Sequence, residues 1–125
     1  MAATPTYQGR SVPEEGQLQG EQRYGITKVT RIRLFGRWFP SGFWRDVMAA
    51  ISEITDNQLV SVRSFRTPRG VILTDIDIAG ELSADKIRKL EDGVIKAMES
   101  NDVNVRRFLK IEIRERPASL FVSQD

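Results

Sequence analysis

Between Ile26 and Arg116 the apolar residues switch from the strand period of two to the helical period of about 3.6 and back, twice. Few folds accept that order. From Ile26 to Phe35, Val29, Arg31, Arg33 and Phe35 share one face, and Thr30, Ile32 and Leu34 share the other, which predicts a half-buried strand. Gly36 and Pro40 break the alternation. Ser41 then reads as the N-cap of a helix from Gly42 to Thr55, with Phe43, Val47, Ile51 and Ile54 at helical spacing as its inner stripe. Asp56 and Asn57 end it.

Two β-rich runs follow, Leu59 to Arg66 and Val71 to Ala79, on either side of Thr67-Pro68-Arg69-Gly70. Their facial patterns select the loop length. A loop of Pro68, Arg69 and Gly70 sets Val60, Val62 and Ser64 opposite Ile78, Ile76 and Thr74, and Arg63 opposite Asp75. A loop one residue shorter pairs Val62 with Asp75 and mixes the faces. Such hairpins need a left-handed residue at the end of the loop, and Gly70 supplies it.

Ser83 caps a second helix running to Glu99, with Ile87, Leu90, Val94 and Ala97/Met98 inward. Gly93 inside it costs about 1 kcal/mol relative to Ala, which points to close packing of helix on sheet. Asn101 to Asn104 form a turn. Val105 to Arg114 is the last strand, with Leu109, Ile111 and Ile113 inward and Phe108, Lys110, Glu112 and Arg114 outward; Pro117 stops it.

The β-α-β-β-α-β order predicts an α+β, ferredoxin-like (split β-α-β) two-layer sandwich. Right-handed crossovers put both helices on one face of an antiparallel-type sheet of order 4-1-3-2. Residues 25–116 make that domain. Residues 1–24, polar and punctuated by Pro5, Gly9, Pro13, Gly16 and Gly20, read as an extended N-terminal arm, and 117–125 as a C-terminal tail carrying Leu120-Phe121-Val122.

Composition excludes several chemistries. There is no Cys and no His, hence no disulfide, no thiolate nucleophile, no Cys/His zinc site and no imidazole acid–base catalysis. No cofactor is called for: the Gly-containing turns match neither the phosphate-binding P-loop nor the dinucleotide pattern. No apolar run reaches the ~18 residues of a membrane span, and no signal-peptide core is visible, so a cytosolic or virion location is expected. The net charge of +2 is small. Arginine, however, far outnumbers lysine, which suits interfaces, buried ion pairs and phosphates; a GC-rich genome gives the same bias.

The face away from the helices is predicted to hold Arg31 and Arg33 of strand 1 and Arg63 of strand 2 around Asp75 and Asp77 of strand 3, a solvated ion-paired surface. RNA-binding domains of this topology carry stacking aromatics at those central positions, and arginines and aspartates stand there here. Asp75 and Asp77 point the same way, as metal or acid–base pairs do, but ion pairing explains the spacing without a metal.

The stretch Arg37-Trp38-Phe39-Pro40-Ser41-Gly42-Phe43-Trp44 packs four aromatics into a strand–helix junction. Phe43 belongs to the core stripe and Phe39 suits a staple on the helix start. Trp38 and Trp44 have no forced core position, and Trp and Arg are common interface anchors. Arg37, Trp38, Phe39 and Trp44, with Leu120 and Phe121 of the tail, are therefore the candidate partner-binding residues; an aromatic satellite core is the alternative. Arg106, Arg107, Arg114 and Arg116 form a basic edge, either solvated or a phosphate contact.

These features together predict a non-enzymatic structural subunit of a larger homo- or hetero-oligomeric complex, such as a virus or phage particle (tail or baseplate), whose arms touch neighbouring subunits. The alternatives are a nucleic-acid-binding module using the Arg-rich edges, and a ligand-sensing regulatory domain resembling the ACT class, which shares the topology.

Overall fold

The computed structural model describes residues 26–117. In chain order these form β1 (Ile26–Phe35), α1 (Ser41–Ile54), β2 (Leu59–Arg66), β3 (Ile72–Ala79), α2 (Ala84–Ser100), a single 3-10 turn (Val105–Arg107) and β4 (Phe108–Pro117). The strands make one antiparallel sheet of order β2-β3-β1-β4, the expected order, and with the two helices give an α+β fold. Residues Val29–Arg114 form one compact unit. The chain ends belong to a second unit, of which Ile26–Lys28 and Glu115–Pro117 are described. The predicted arms, with Leu120 and Phe121, lie outside the described residues. No described helix is long and apolar enough to cross a membrane.

One face of the sheet carries the core. Ile32 and Leu34 of β1 and Ile76 and Ile78 of β3 meet Phe43, Val47 and Ile51 of α1 and Leu90, Val94 and Met98 of α2, so both helices cover the same face. Burying each such side chain contributes roughly 1.5–3 kcal/mol. The helices themselves touch at Gly93, where an added Cβ would lie 3.0 Å from the Cβ of Ala50. Gly93 thus serves helix–helix packing, not the helix–sheet contact expected.

The ends of the elements follow local chemistry. Ser83 accepts from the Lys86 N–H at 3.3 Å and caps α2. At α1 the cap position is Pro40, with no side-chain cap, and Ser41 is the first helical residue instead of the cap. What fixes this helix start is apolar: Phe39 meets Trp44, five residues on, edge-to-face at 5.3 Å, and stacks on Phe43 at 4.9 Å.

The hairpin register matches expectation from Val62↔Ile76 through Arg63↔Asp75 to Ser64↔Thr74. Gly70 sits at φ +87°, and its N–H donates to Thr67 O at 2.8 Å. Toward the open end, β2 carries an extra residue: Ser61 pairs with Asp77 and Leu59, not Val60, with Ile78, so a bulge ejects Val60 from the ladder. In β4 the predicted faces shift as well. Phe108 and Ile111 both pack on the core, while Leu109 is 44% exposed. A spacing of three cannot share one face of a regular strand, and the entry through a 3-10 turn breaks the alternation.

The opposite face departs most from expectation. Arg31 lies across from Asp77 and Arg33 across from Asp75. Arg31 donates from Nε and Nη2 to Asp77 at 2.8 and 3.0 Å, and Arg33 does the same to Asp75 at 2.8 Å for both bonds. Both carboxylates are fully buried and Arg31 is only 7% exposed, so the centre of this face is a buried ion-pair ladder and not a solvated one. Arg63 reaches Asp75 at 3.9 Å, and the Arg33 and Arg63 guanidiniums both lie over the Phe65 ring. The hydrogen bonds that Arg31 donates to Asp77 hold its pKa above the ordinary value against burial, and those that Arg33 donates to Asp75 do the same for Arg33. Ion pairing accounts for the Asp75/Asp77 spacing.

Candidate partner-binding site

Three segments converge at the end of the sheet where β1 finishes. Gly36 turns the chain at φ +85°, a backbone that side chains resist, and its N–H donates to Ile72 O at 2.8 Å. That bond sets the β2–β3 loop beside residues 35–38. The third segment is the 3-10 turn, because antiparallel β4 begins where β1 ends.

Residues Phe35–Trp38 on one side and Gly70–Ile72 on the other enclose a groove of about 440 Å³. Its walls are apolar and open: Trp38 is 80% exposed, Phe35 49% and Val71 38%. The Arg37 guanidinium lies over the Trp38 ring, 5.3 Å from its centroid. A large aromatic this exposed leaves apolar area in water that a partner would bury.

Arg107 makes the groove wall rigid. Its Nε donates to Phe35 O at 2.8 Å and its Nη1 to Trp38 O at 3.1 Å, so one guanidinium ties both ends of the 35–38 turn. The same group lies 3.8 Å from the centroid of Phe39. Burial lowers its pKa from the ordinary value. Arg107 therefore acts as a strut between these segments, with N–H groups on two carbonyls and its face on a ring.

The other predicted residues divide by their partners. Arg37 and Trp38 line the groove together. Phe39 and Trp44 do not join them, because both pack on the core with Phe43, Trp44 edge-to-face at 5.3 Å. Of the basic edge, Arg106 is exposed. Arg114 is tied to Glu112 at 3.1 Å, and Arg116 is buried at 7% exposure. Burial opposes ionisation of Glu112, yet hydrogen bonds from Lys110 and Arg114 outweigh it and hold the carboxyl below its ordinary range.

Sequence reasoning missed half of this site. Phe35, Val71 and Ile72, which line the groove, are not among the candidate residues of the sequence. The signal was present in the pairing of Phe35 with Leu73, which brings the hairpin loop to Trp38, but that register follows from packing and not from either segment alone. The lining offers apolar surface and guanidinium, groups that bind and neutralise. No protein-family model, curated protein or solved structure matches the chain.

Proposed function

We propose that this chain is a non-enzymatic subunit of a larger assembly, with a ferredoxin-like arrangement as its scaffold and the groove at Trp38 as its contact with a protein partner. The observation that carries the reading is Trp38 itself. It is 80% exposed beside a groove of about 440 Å³, on a turn held at both ends by Arg107. An exposed tryptophan on a turn whose backbone is tied buries a large area on association, the character of an interface anchor. The setting carried by this proposal is a virus or phage particle, in its tail or baseplate.

The test is a photo-crosslinking amino acid at position 38 in the full chain, expressed in its native host. A defined protein adduct is expected from position 38 and none from Glu91, which is exposed on α2. Absence of any protein adduct at 38 would reject the reading. The captured protein also decides the setting, since it either is or is not a particle component.

A further inference from the structure

We infer that the Trp38 groove takes an acidic segment of its protein partner, a stretch in which carboxylates flank an aliphatic or aromatic side chain. The inference rests on the partner-binding reading of the groove and names the chemistry of the partner.

Arginine pairing in this molecule sorts by place. Arg31, Arg33 and Arg63 are met by Asp75 and Asp77, Arg45 by Asp46, Arg88 by Asp85 and Arg114 by Glu112. Among the described residues Arg37, Arg66, Arg69, Arg106 and Arg107 have no carboxylate within ion-pair distance; Arg37 lines the groove, and the others belong to the hairpin end and the 3-10 turn at the same end of the sheet. Arg107 is engaged with carbonyls; the other four are exposed. The stretches 35–44 and 66–74, which contain the residues lining the groove, have no Asp or Glu at all. Positive charge gathered without counter-charge leaves a field that an anion satisfies, and guanidinium forks match carboxylates with two parallel hydrogen bonds.

Shape selects a protein over a polynucleotide. The groove between Phe35, Trp38 and Val71 is apolar and asks for the body of a side chain. Among the described residues, the arginines without a carboxylate partner gather at one end of the sheet. A short acidic segment with an apolar anchor satisfies groove and arginines together.

The test is an NMR titration of the full-length, 15N-labelled chain with the synthetic peptide Glu-Asp-Leu-Phe-Glu-Asp. The basic peptide Lys-Lys-Leu-Phe-Lys-Lys and an oligothymidylate of equal charge serve as comparisons. The acidic peptide is expected to move the Trp38 indole signal and the Gly36 and Gly70 amides, and to bind more weakly as salt rises. Arg37→Glu/Arg69→Glu is expected to weaken it about ten-fold or more. Arg69→Glu alone, at the open loop tip, gives the same direction in case the double variant is poorly folded. No response to the acidic peptide, responses confined to other residues, indifference to the charge reversals, or tighter binding of the oligothymidylate would each overturn the inference. If position 38 cross-links to a protein while the acidic peptide stays unbound, only this inference falls and the assembly reading stands.

Discussion

Arg31 and Asp77 face each other across β1 and β3 and share two hydrogen bonds, 2.8 and 3.0 Å long, with the carboxylate fully buried. A buried pair of this kind contributes little relative to apolar residues of similar volume, but it is costly to break. Asp77→Ala leaves the Arg31 guanidinium buried without its main counter-charge and is expected to cost about 3–5 kcal/mol. Arg31→Met combined with Asp77→Leu should recover at least half of that loss. Urea unfolding of the three chains measures both; an Asp77→Ala chain as stable as the parent would refute the argument.

The two tryptophans should separate stability from binding. Trp38→Ala removes an exposed ring and is expected to stay within about 0.5 kcal/mol of the parent. Trp44→Ala removes a ring packed on Phe39 and Phe43 and should cost about 3 kcal/mol, the low end for a core aromatic, since Trp44 is only partly buried. Thermal unfolding of both variants gives the comparison, and equal losses would contradict the placement of the two rings.

Arg107 and Gly36 should behave as one unit. A Cβ at position 36 would stand 2.8 Å from Arg107 Nη2, on a backbone at φ +85°. Gly36→Ala is expected to cost about 1–3 kcal/mol from backbone strain alone, and Arg107→Met about 1–3 kcal/mol from the lost bonds to two carbonyls. With Arg107 already gone, Gly36→Ala should cost measurably less. A double-mutant cycle by chemical denaturation reads the coupling, and strict additivity would show that the strut does not press on the turn.

At the helix contact, propensity and packing oppose each other. Replacing Gly93 by Ala gains about 1 kcal/mol of helix propensity, yet the new Cβ meets Ala50 Cβ at 3.0 Å. Both atoms sit on helix backbones that move only together. Gly93→Ala is therefore expected to lower the melting temperature, and to be better tolerated when Ala50 is Gly. A rise in melting temperature from Gly93→Ala alone would show that the helices separate freely.

Glu112 sets a small acid dependence. Its folded-state pKa lies below the ordinary value of 4.5, so the unfolded chain binds more protons in that range. The stability it contributes is present above the unfolded-state pKa and is lost as pH falls through the folded-state one. Lys110 and Arg114 are about half exposed, which keeps the effect under about 1 kcal/mol. Glu112→Gln should flatten the acid limb of stability against pH, followed by urea midpoints between neutral and acid pH; an unchanged limb would refute it.

Much of the fold was legible because it rests on local geometry. Alternation placed β1 and the hairpin, Gly70 chose the loop, Ser83 capped α2, and the order of elements gave the order of the strands. The candidate site was legible only in part. Arg37 and Trp38 were found because aromatic crowding at a strand–helix junction is a local signal. Trp38 and Trp44 stand six residues apart in equally aromatic surroundings, and only the turn of α1 onto Phe39 and Phe43 decides that one is internal and the other exposed.

The sequence by itself determined which residues share a face in β1, β3 and the two helices, since the periods of strand and helix are properties of the backbone; at the β2 bulge and the entry to β4 the period breaks. Tertiary structure decided how deeply the Arg31, Arg33, Asp75 and Asp77 charges are buried and where the remaining arginines find their partners. The arginine set read from one stretch of chain, Arg106, Arg107, Arg114 and Arg116, dissolved into a strut, an ion pair, a buried side chain and one exposed group. The set without carboxylates came from three separate segments. An ion pair depends on a few ångströms between elements distant in sequence, and that distance is set by packing, which no single segment encodes.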